Sequence, residues 1–271
     1  MDHMLTIFTI PKPFTDPHIR LIQRNAIGSW RRLHPDIDII LMGDDAGVAE
    51  AAKEFRVRHI PGIAQNEFGT PLLNSAFTAA SAAAIHEQIM YTNTDMLYVS
   101  NLIDSLRRLP EKEALTIGRR IDLDVATEID FNESWDKALA QKARTDGMLH
   151  SWAGIDYFLF SRGMFTDLPP FAVGRVGWDN WTVAEARRTY RYTIDATACI
   201  TAIHQNHAYS GNNAGASRKT NPEAALNNSF TKSPWLARTI QDANWRLTPE
   251  KLRRNPLCFI PPMKRQLGSM I

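Results

Sequence analysis

Residues 89–101 read IMYTNTDMLYVSN, and this stretch decides the fold that we expect. Apolar residues on both sides enclose the polar triplet Asn93, Thr94 and Asp95. The apolar run is typical of a buried strand, and side chains alternate along a strand, so Asn93 and Asp95 point to the same side. Oxygen ligands of this kind suit Mg²⁺ or Mn²⁺, but Asn and Asp are also common turn residues. The triplet therefore predicts either a cation site or an ordinary turn.

Strand and helix patterns alternate on the N-terminal side of this stretch. LTIFTI (5–10) is rich in β-branched and aromatic residues and is followed by Pro11, as a buried strand would be. Over residues 17–33, apolar side chains recur every three or four positions, which predicts an amphipathic helix with Asp16 as its N-cap. IDIILMGDD (37–45) is the next predicted strand. This order predicts an α/β fold of the Rossmann type, with a mixed, mostly parallel central sheet flanked by helices.

The ends of the predicted strands carry acidic residues. Asp44 and Asp45 end one strand, while Asn93 and Asp95 end another. Ligands of open α/β sheets bind at the carboxyl ends of the strands. We therefore expect these side chains to lie near a ligand.

Two tryptophans, Trp178 and Trp181, flank Asp179 and Asn180 in the stretch GRVGWDNW (174–181). Aromatic rings stack on the apolar faces of sugars, and a carboxylate accepts hydroxyl protons, so the stretch is suited to a sugar acceptor. The alternative is that the tryptophans anchor the loop to the core while Asp179 caps the following helix. The pattern supports both interpretations equally.

Two histidines follow a predicted strand in ITAIHQNHAYSG (200–211). A neutral imidazole near a diphosphate completes a metal site or donates a hydrogen bond to phosphate. His204 lies in apolar sequence, which favours a buried structural role. His207 lies nearer polar residues and is the better candidate ligand.

Composition restricts the class of protein. The 271 residues include 31 Lys and Arg against 29 Asp and Glu, a formal net charge of +2 that is too balanced for a dedicated nucleic-acid binder. Cys199 and Cys258 are the two cysteines, in apolar surroundings, so we expect a reducing compartment rather than a disulfide scaffold.

The C-terminal part is basic and contains interspersed apolar residues. We expect a cytoplasmic protein, since the N-terminus is a poor signal peptide and the sequence has no run of eighteen apolar residues. The basic region from 246 to 265 suggests peripheral contact with the inner face of a membrane, with a solvated tail or a packed extension as the alternatives.

A series of stretches resembles a known family. In chain order they are LTIFTIPKPF, PLLNSAF, YTNTDMLY, GIDYFLFSRG, PPFAVGRVGWDNW and HQNHAYSG. The series is similar to bacterial glycosyltransferases of the nucleotide-diphospho-sugar transferase (GT-A) superfold, over roughly residues 4 to 215. The resemblance implies a GT-A-like transferase domain over 1–215 and a basic extension over 216–271 that packs on the site or closes over it.

The resemblance also implies roles for individual residues. Asn93, Thr94 and Asp95 would match the D-x-D motif that binds metal and donor diphosphate, with Asn in place of the first Asp. Asp95 and His207 would hold Mn²⁺ or Mg²⁺, and Asp179 would be the catalytic residue facing the acceptor. The donor-binding set is Thr9, Lys12, Asp44, Asn74, Asn93, Asp95, Arg218 and Lys219. The acceptor-binding set is Trp178, Asn180, Trp181 and Asp156.

Segment 210–222 is rich in Gly, Asn and Ser. It predicts a loop that closes over the donor and brings Arg218, Lys219 and Lys232 to phosphate, or else a surface linker.

These inferences together predict a glycosyltransferase that moves a sugar from a nucleotide donor to a hydroxyl of a glycan or lipid-linked acceptor, with a cation assisting, in polysaccharide biosynthesis. The alternatives are a metal-dependent phosphoester hydrolase, a nucleotidyltransferase on the same superfold, and a non-catalytic carbohydrate-binding protein. A nucleotidyltransferase is disfavoured because no Gly-rich phosphate loop follows the first strand.

Overall fold

The structure is a computed structural model that describes residues 4–207, 221–231 and 238–259. Its first helix begins where the sequence predicts. The carboxylate of Asp16 accepts hydrogen bonds from the backbone N–H groups of His18 and Ile19, both at 2.9 Å. This N-cap satisfies two N–H groups that have no partner within the helix. Pro17 occupies the first helical position, where its missing N–H costs nothing.

Thirteen strands and seven α-helices lie within the described residues. The strands are β1 (Leu5–Thr9), β2 (Asp38–Met42), β3 (Arg58–Ile60), β4 (Gln88–Thr92), β5 (Met96–Tyr98), β6 (Ala114–Ile117), β7 (Arg120–Leu123), β8 (Met148–Leu149), β9 (Tyr157–Ser161), β10 (Tyr192–Asp195), β11 (Ala202–Gln205), β12 (Trp245–Leu247) and β13 (Leu252–Arg254). The helices are α1 (Pro17–Leu33), α2 (Val48–Phe55), α3 (Leu73–Ala83), α4 (Asn101–Leu106), α5 (Trp135–Asp146), α6 (Trp178–Thr189) and α7 (Pro222–Phe230).

The large sheet has nine strands in the order β13-β12-β10-β6-β9-β4-β1-β2-β3. Its pairs are parallel except at β9, which runs antiparallel to both neighbours, and at the edge pair β12/β13. The predicted α/β class, with a mixed and mostly parallel central sheet flanked by helices, is confirmed.

Each face of this sheet packs against its own helices. On β1, Leu5 and Ile7 point into a cluster with side chains of α1, α2 and α4, whereas Phe8 points into a second cluster with α3 and α6. Because successive side chains of an apolar strand point to opposite faces of the sheet, β1 contributes residues to both clusters. Phe8 is completely buried and meets the ring of Phe77 edge to face, with the ring centroids 5.1 Å apart.

A second, smaller sheet has the order β5-β11-β7-β8. β11 pairs antiparallel with β5 and parallel with β7. The chain passes from the large sheet to the small one between Thr92, the last residue of β4, and Met96, the first residue of β5. The polar triplet is the connection between the two sheets.

Part of the predicted C-terminal extension belongs to the large sheet. β12 pairs in parallel with β10, so residues 245–247 continue the sheet. The predicted division at 215/216 lies outside the described residues, as does most of the basic stretch after 259. Within the described ranges, every helix is too short or too polar to span a lipid bilayer.

Candidate functional site

The polar triplet is held from both sides by buried hydrogen bonds. The hydroxyl groups of Thr9 and Thr94 lie 2.7 Å apart and connect the end of β1 to the triplet. The indole N–H of Trp30 on α1 donates to the backbone oxygen of Met96 at 2.8 Å. The backbone and side-chain N–H groups of Gln205 donate to the backbone oxygen of Asp95 at 3.1 and 3.2 Å. The backbone around Asp95 is therefore held in place by β1, α1 and β11 together.

Asp95 meets both histidines of the predicted H-x-x-H stretch. Its Oδ2 lies 3.1 Å from Nε2 of His207 and 3.7 Å from Nε2 of His204. Within the described residues, these three side chains form the one group of His, Cys, Asp or Glu whose ligand atoms lie close enough together, all within 4.8 Å, to hold a metal ion. The sequence selected Asp95 and His207 and treated His204 as structural.

The charge states of two of these groups suit metal binding. Burial raises the pKa of the Asp95 carboxyl, but the hydrogen bond from His207 and the charges of both histidines and of Lys12 outweigh it, so that the pKa lies below its ordinary value. Burial lowers the pKa of His204. At neutral pH the pair therefore consists of a carboxylate and a neutral imidazole, which are the ligand forms of these side chains.

One carboxylate oxygen of this group has no hydrogen-bond partner in the described part of the chain and also suits a bound cation. Oδ1 of Asp95 is buried and has no hydrogen-bond partner among the described residues. Buried polar atoms are nearly always paired, so this oxygen fits a ligand. A carboxylate and two imidazoles suit transition-metal ions, whereas Mg²⁺ prefers oxygen ligands alone. Of the two predicted cations, Mn²⁺ is the better fit.

A buried ion-pair network supports the triplet from the other side. Nδ2 of Asn93 donates to Oδ1 of Asp156 at 2.7 Å, and Nη1 of Arg120 donates to Oδ2 of Asp156 at 2.6 Å. Asp156 precedes β9, which pairs with β4 in a register that places Thr92 opposite Tyr157. Asn93 therefore engages a neighbouring carboxylate through its amide hydrogens, a contact that an aspartate at this position would replace with repulsion.

A cleft of about 500 Å³ opens over the group formed by Asp95, His204 and His207. This volume is within the ordinary range for small-molecule sites. Asn93, Asp95, His204 and His207 line it, as do the following residues from the surrounding loops and helices: Ile10, Pro11, Lys12, Ile19, Gln23, Asp45, Thr70, Pro71, Tyr91, Arg120, Asp156, Val173, Arg175, Val176, Asn221 and Ala224. The carboxyl ends of β1, β2 and β4 all contribute, as the strand-end rule predicts.

Helix α7 covers one side of the cleft through an ion pair. Nε and Nη2 of Arg175 both donate to Oε2 of Glu223, at 2.8 and 2.5 Å. Oε1 of Glu223 accepts from Nδ2 of Asn66 at 2.7 Å, and Asn221 caps the start of α7. The guanidinium group of Arg175 is therefore held at the cleft wall by the buried carboxylate of Glu223.

The predicted donor-binding residues fall into different places. Lys12 is exposed and lines the cleft, whereas Thr9 is buried behind it against Thr94. Oδ2 of Asp44 accepts from the backbone N–H of Gly62 at 2.7 Å, and the neighbouring Asp45 is the one that lines the cleft. Asn74 lies in the first turn of α3, outside the cleft lining. Arg218, Lys219 and Lys232 lie outside the described residues.

The predicted acceptor residues, apart from Asp156, lie in the first turn of α6, outside the cleft lining. Trp178 is buried with its ring centroid 4.5 Å from that of Phe158, and Trp181 packs against Phe171 at 5.7 Å. Asn180 donates to the backbone oxygen of Arg238 at 2.7 Å. These contacts correspond to the anchoring role that the sequence left open for the tryptophans.

Asp179 is the second residue of the same helix and also lies outside the cleft lining, three residues after the cleft-lining Val176. Burial, with a smaller contribution from the charge of Asp156, raises the pKa of its carboxyl to about 6, although N–H groups at the helix start oppose the shift. Gly177 directly before the helix has φ +102°, a left-handed conformation that a side chain would strain. This turn sets where Asp179 points.

Four residues of the site were missed or passed over by the sequence interpretation: Asp45, Arg120, Arg175 and His204. Asp45 had a signal, since it follows the same strand as Asp44. Burial, aided by the charge of Asp44, raises the pKa of Asp45. Arg120 had no signal, because the strand β7 that carries it falls in a stretch without clear periodicity.

Comparisons with known proteins find similarity in solved structures only. No family model matches the chain, and no curated protein matches it. The chain is similar to the mannosyltransferase PcManGT from Pyrobaculum calidifontis in complex with GDP-Man and Mn²⁺, with a TM-score of 0.46 and 13% identity, over 76% of this chain and 58% of that chain.

Two further structures are similar to a comparable degree. GalNAc-T7 with UDP, GalNAc and Mn²⁺ has a TM-score of 0.48 and 12% identity, over 82% of this chain and 47% of that chain. S. aureus TarS has a TM-score of 0.48 and 8% identity, over 74% of this chain and 36% of that chain. The chain thus spans less than two thirds of each of the three structures.

Proposed function

We propose that this protein is a glycosyltransferase that uses a nucleoside diphosphate sugar as donor and a hydroxyl group as acceptor, with a divalent cation assisting. One observation carries the proposal: Asp95, His204 and His207 converge, with one oxygen of Asp95 unpaired among the described residues, in a cleft of about 500 Å³ formed by strand ends. The sequence resemblance to GT-A glycosyltransferases supports it independently.

The charges around the cleft suit a diphosphate leaving group. Departure of a nucleoside diphosphate leaves negative charge on phosphate oxygens, and a bound cation stabilises that charge where it develops. Asp95, His204 and His207 would hold the cation. Lys12 projects from the loop after β1 into the same cleft and supplies a further positive charge. Asp45, three residues after β2, lines the cleft and would accept hydrogen bonds from the nucleoside.

On the acceptor side we propose Asp179 as the group that takes the hydroxyl proton. A carboxyl group with a pKa of about 6 is a stronger base than an ordinary aspartate and is still ionised at neutral pH. Asp156 lines the cleft, but Arg120 and Asn93 already engage both of its oxygens. Asp156 is therefore assigned to orientation rather than to proton transfer.

The test is release of nucleoside diphosphate. The purified chain is incubated with UDP-, GDP- and dTDP-sugars and a panel of glycan and lipid-linked acceptors, with Mn²⁺ or with EDTA. We expect release from one donor class that depends on both Mn²⁺ and an acceptor. Release of monophosphate or inorganic phosphate without an acceptor would indicate a hydrolase. In a parallel assay, formation of inorganic pyrophosphate from a nucleoside triphosphate and a sugar 1-phosphate would indicate a nucleotidyltransferase. Sugar binding with no product would indicate a binding protein.

A further inference from the structure

The imidazole ring of His204 has a second nitrogen that none of the other residues of the cation site contacts. Its Nε2 points toward Asp95, so its Nδ1 points away from the cleft, and this nitrogen is buried without a hydrogen-bond partner of good geometry among the described residues. A histidine that binds a cation through Nε2 must carry its proton on Nδ1. That proton requires an acceptor on the side away from the cation.

The small sheet supplies an acceptor. β11 and β7 pair in parallel with His204 opposite Asp122, so both side chains leave the same face of the sheet. Oδ1 of Asp122 lies 3.4 Å from Nδ1 of His204, slightly longer than an ordinary hydrogen bond.

We infer that Asp122 is a positioning residue that holds His204 in its Nδ1–H tautomer, with Nε2 directed at the cation site. The inference rests on the metal-assisted function proposed above and adds a residue that does not touch the cation. It assigns Asp122 a role in metal affinity.

The surroundings of Asp122 fix the direction of its carboxylate. Its side chain is 13% exposed, and two cationic or proton-carrying groups fix its direction: Nε of Arg120 at 2.8 Å from Oδ1 and Nδ1 of His150 at 2.6 Å from Oδ2. Arg120 also forms an ion pair with Asp156, which in turn accepts a hydrogen bond from Asn93 of the triplet. The carboxylate that faces His204 is therefore immobilised by the same arginine that orders the strand end beside Asp95.

The primary experiment measures Mn²⁺ affinity of the full chain by calorimetry, without donor or acceptor. Asp122→Asn keeps the size of the side chain but weakens the acceptor, and we expect the dissociation constant to rise about 10- to 100-fold. His150→Gln is the matched control, because it removes a partner of the opposite oxygen of Asp122 and does not face His204. We expect it to change the constant by less than about threefold.

A second readout reports the tautomer directly. Nitrogen-15 chemical shifts of His204 in the metal-free protein should show the Nδ1–H form in the unmodified chain and a mixture of tautomers in Asp122→Asn. If Asp122→Asn does not fold, Asp122→Glu keeps the charge that Arg120 requires while displacing the oxygens, and we expect the same two effects.

The outcomes separate this inference from the proposed function. Unchanged Mn²⁺ affinity and an unchanged tautomer in a folded Asp122 variant would overturn the inference, as would a wild-type chain that binds no Mn²⁺. Asp122-dependent Mn²⁺ binding in a protein that releases no nucleoside diphosphate would instead reject sugar transfer and leave the role of Asp122 intact.

Discussion

Oδ2 of Asp95 and Nε2 of His207 lie 3.1 Å apart although 112 residues separate them in the chain. One residue ends a connection between two sheets and the other follows the central strand of the smaller sheet. Their contact, with His204 3.7 Å from the same oxygen, is the basis of the following predictions.

Replacement of Asp95 by Asn should remove cation-dependent donor binding. The amide keeps the shape but lacks the negative charge that attracts a cation, so we expect the affinity for a nucleoside diphosphate in the presence of Mn²⁺ to fall at least about tenfold, or roughly 1.4 kcal/mol. Calorimetry with and without EDTA measures this. Asp104→Asn is the control, because the Asp104 side chain is 70% exposed. Equal donor affinity in the Asp95 variant and the unmodified chain would refute the assignment.

The two histidines should make the protein prefer Mn²⁺ to Mg²⁺. Imidazole nitrogen suits transition metals, so His204→Ala and His207→Ala should each raise the Mn²⁺ concentration that gives half-maximal activity by about tenfold or more. Metal titrations of both variants check this. If the His204 variant needs the same Mn²⁺ concentration as the unmodified protein, His204 has the structural role that the sequence favoured.

Asp179 should make stability depend on pH. Its pKa is about 6 in the folded chain against an ordinary value of 3.8, so between these values the folded state binds more protons than the unfolded state. Stability therefore falls as pH rises through this window, and the loss is complete above pH 6. Asp179→Asn should be more stable than the unmodified chain at pH 8, by up to about 3 kcal/mol, and should show no such gain below about pH 4. Urea unfolding at both pH values measures the difference.

The same variant should lose activity while it gains stability. If Asp179 takes the acceptor proton, turnover of Asp179→Asn should fall by roughly 10²- to 10⁴-fold, and turnover of the unmodified chain should rise with pH through about 6. Parallel losses of turnover and stability would instead indicate that Asp179 only caps α6.

Arg120 should be indispensable for stability. Its guanidinium lies 2.6 Å from Asp156 and 2.8 Å from Asp122, and all three side chains are largely buried. Arg120→Met would leave two carboxylates buried without their shared cation, and we expect a loss of about 3–5 kcal/mol. Arg188→Met is the control, since its side chain is 73% exposed and its ion pair with Glu185 should contribute less than about 1 kcal/mol. Thermal unfolding of both variants checks the contrast.

Local patterns in the sequence predicted much of the scaffold. The helix over 17–33 and its Asp16 cap are confirmed, because amphipathic spacing and an N-cap depend on neighbours within a few positions. The strands around the polar triplet follow for the same reason. The pairing of β5, β11, β7 and β8 into a second sheet was not predicted, since it joins segments distant in the chain through strands of two to four residues each.

Some residues of the candidate site were also predictable from local sequence, and others were not. Asp95 and His207 were visible because polar residues after apolar strands in an α/β chain indicate a ligand edge. Lys12 was predicted through the family resemblance. Asp45 was passed over in favour of Asp44, because the turn after a strand decides which of two neighbouring side chains faces the cleft. Residues 218 and 219 remain predictions outside the described chain.

The sequence by itself determined the α/β class, the order of the early strands and helices, and the polar ends of those strands, since each depends on residues close together in the chain. Only the tertiary structure decided that His204 joins Asp95 and His207, that Asp122 stands behind His204, and that Arg120 connects two carboxylates. The contacts of His204 and His207 with Asp95 and Asp122 depend on strand register between segments about 80 to 110 residues apart, and Arg120 reaches Asp156 across 36 residues. Register is set by the packing of both sheets as a whole rather than by any local pattern.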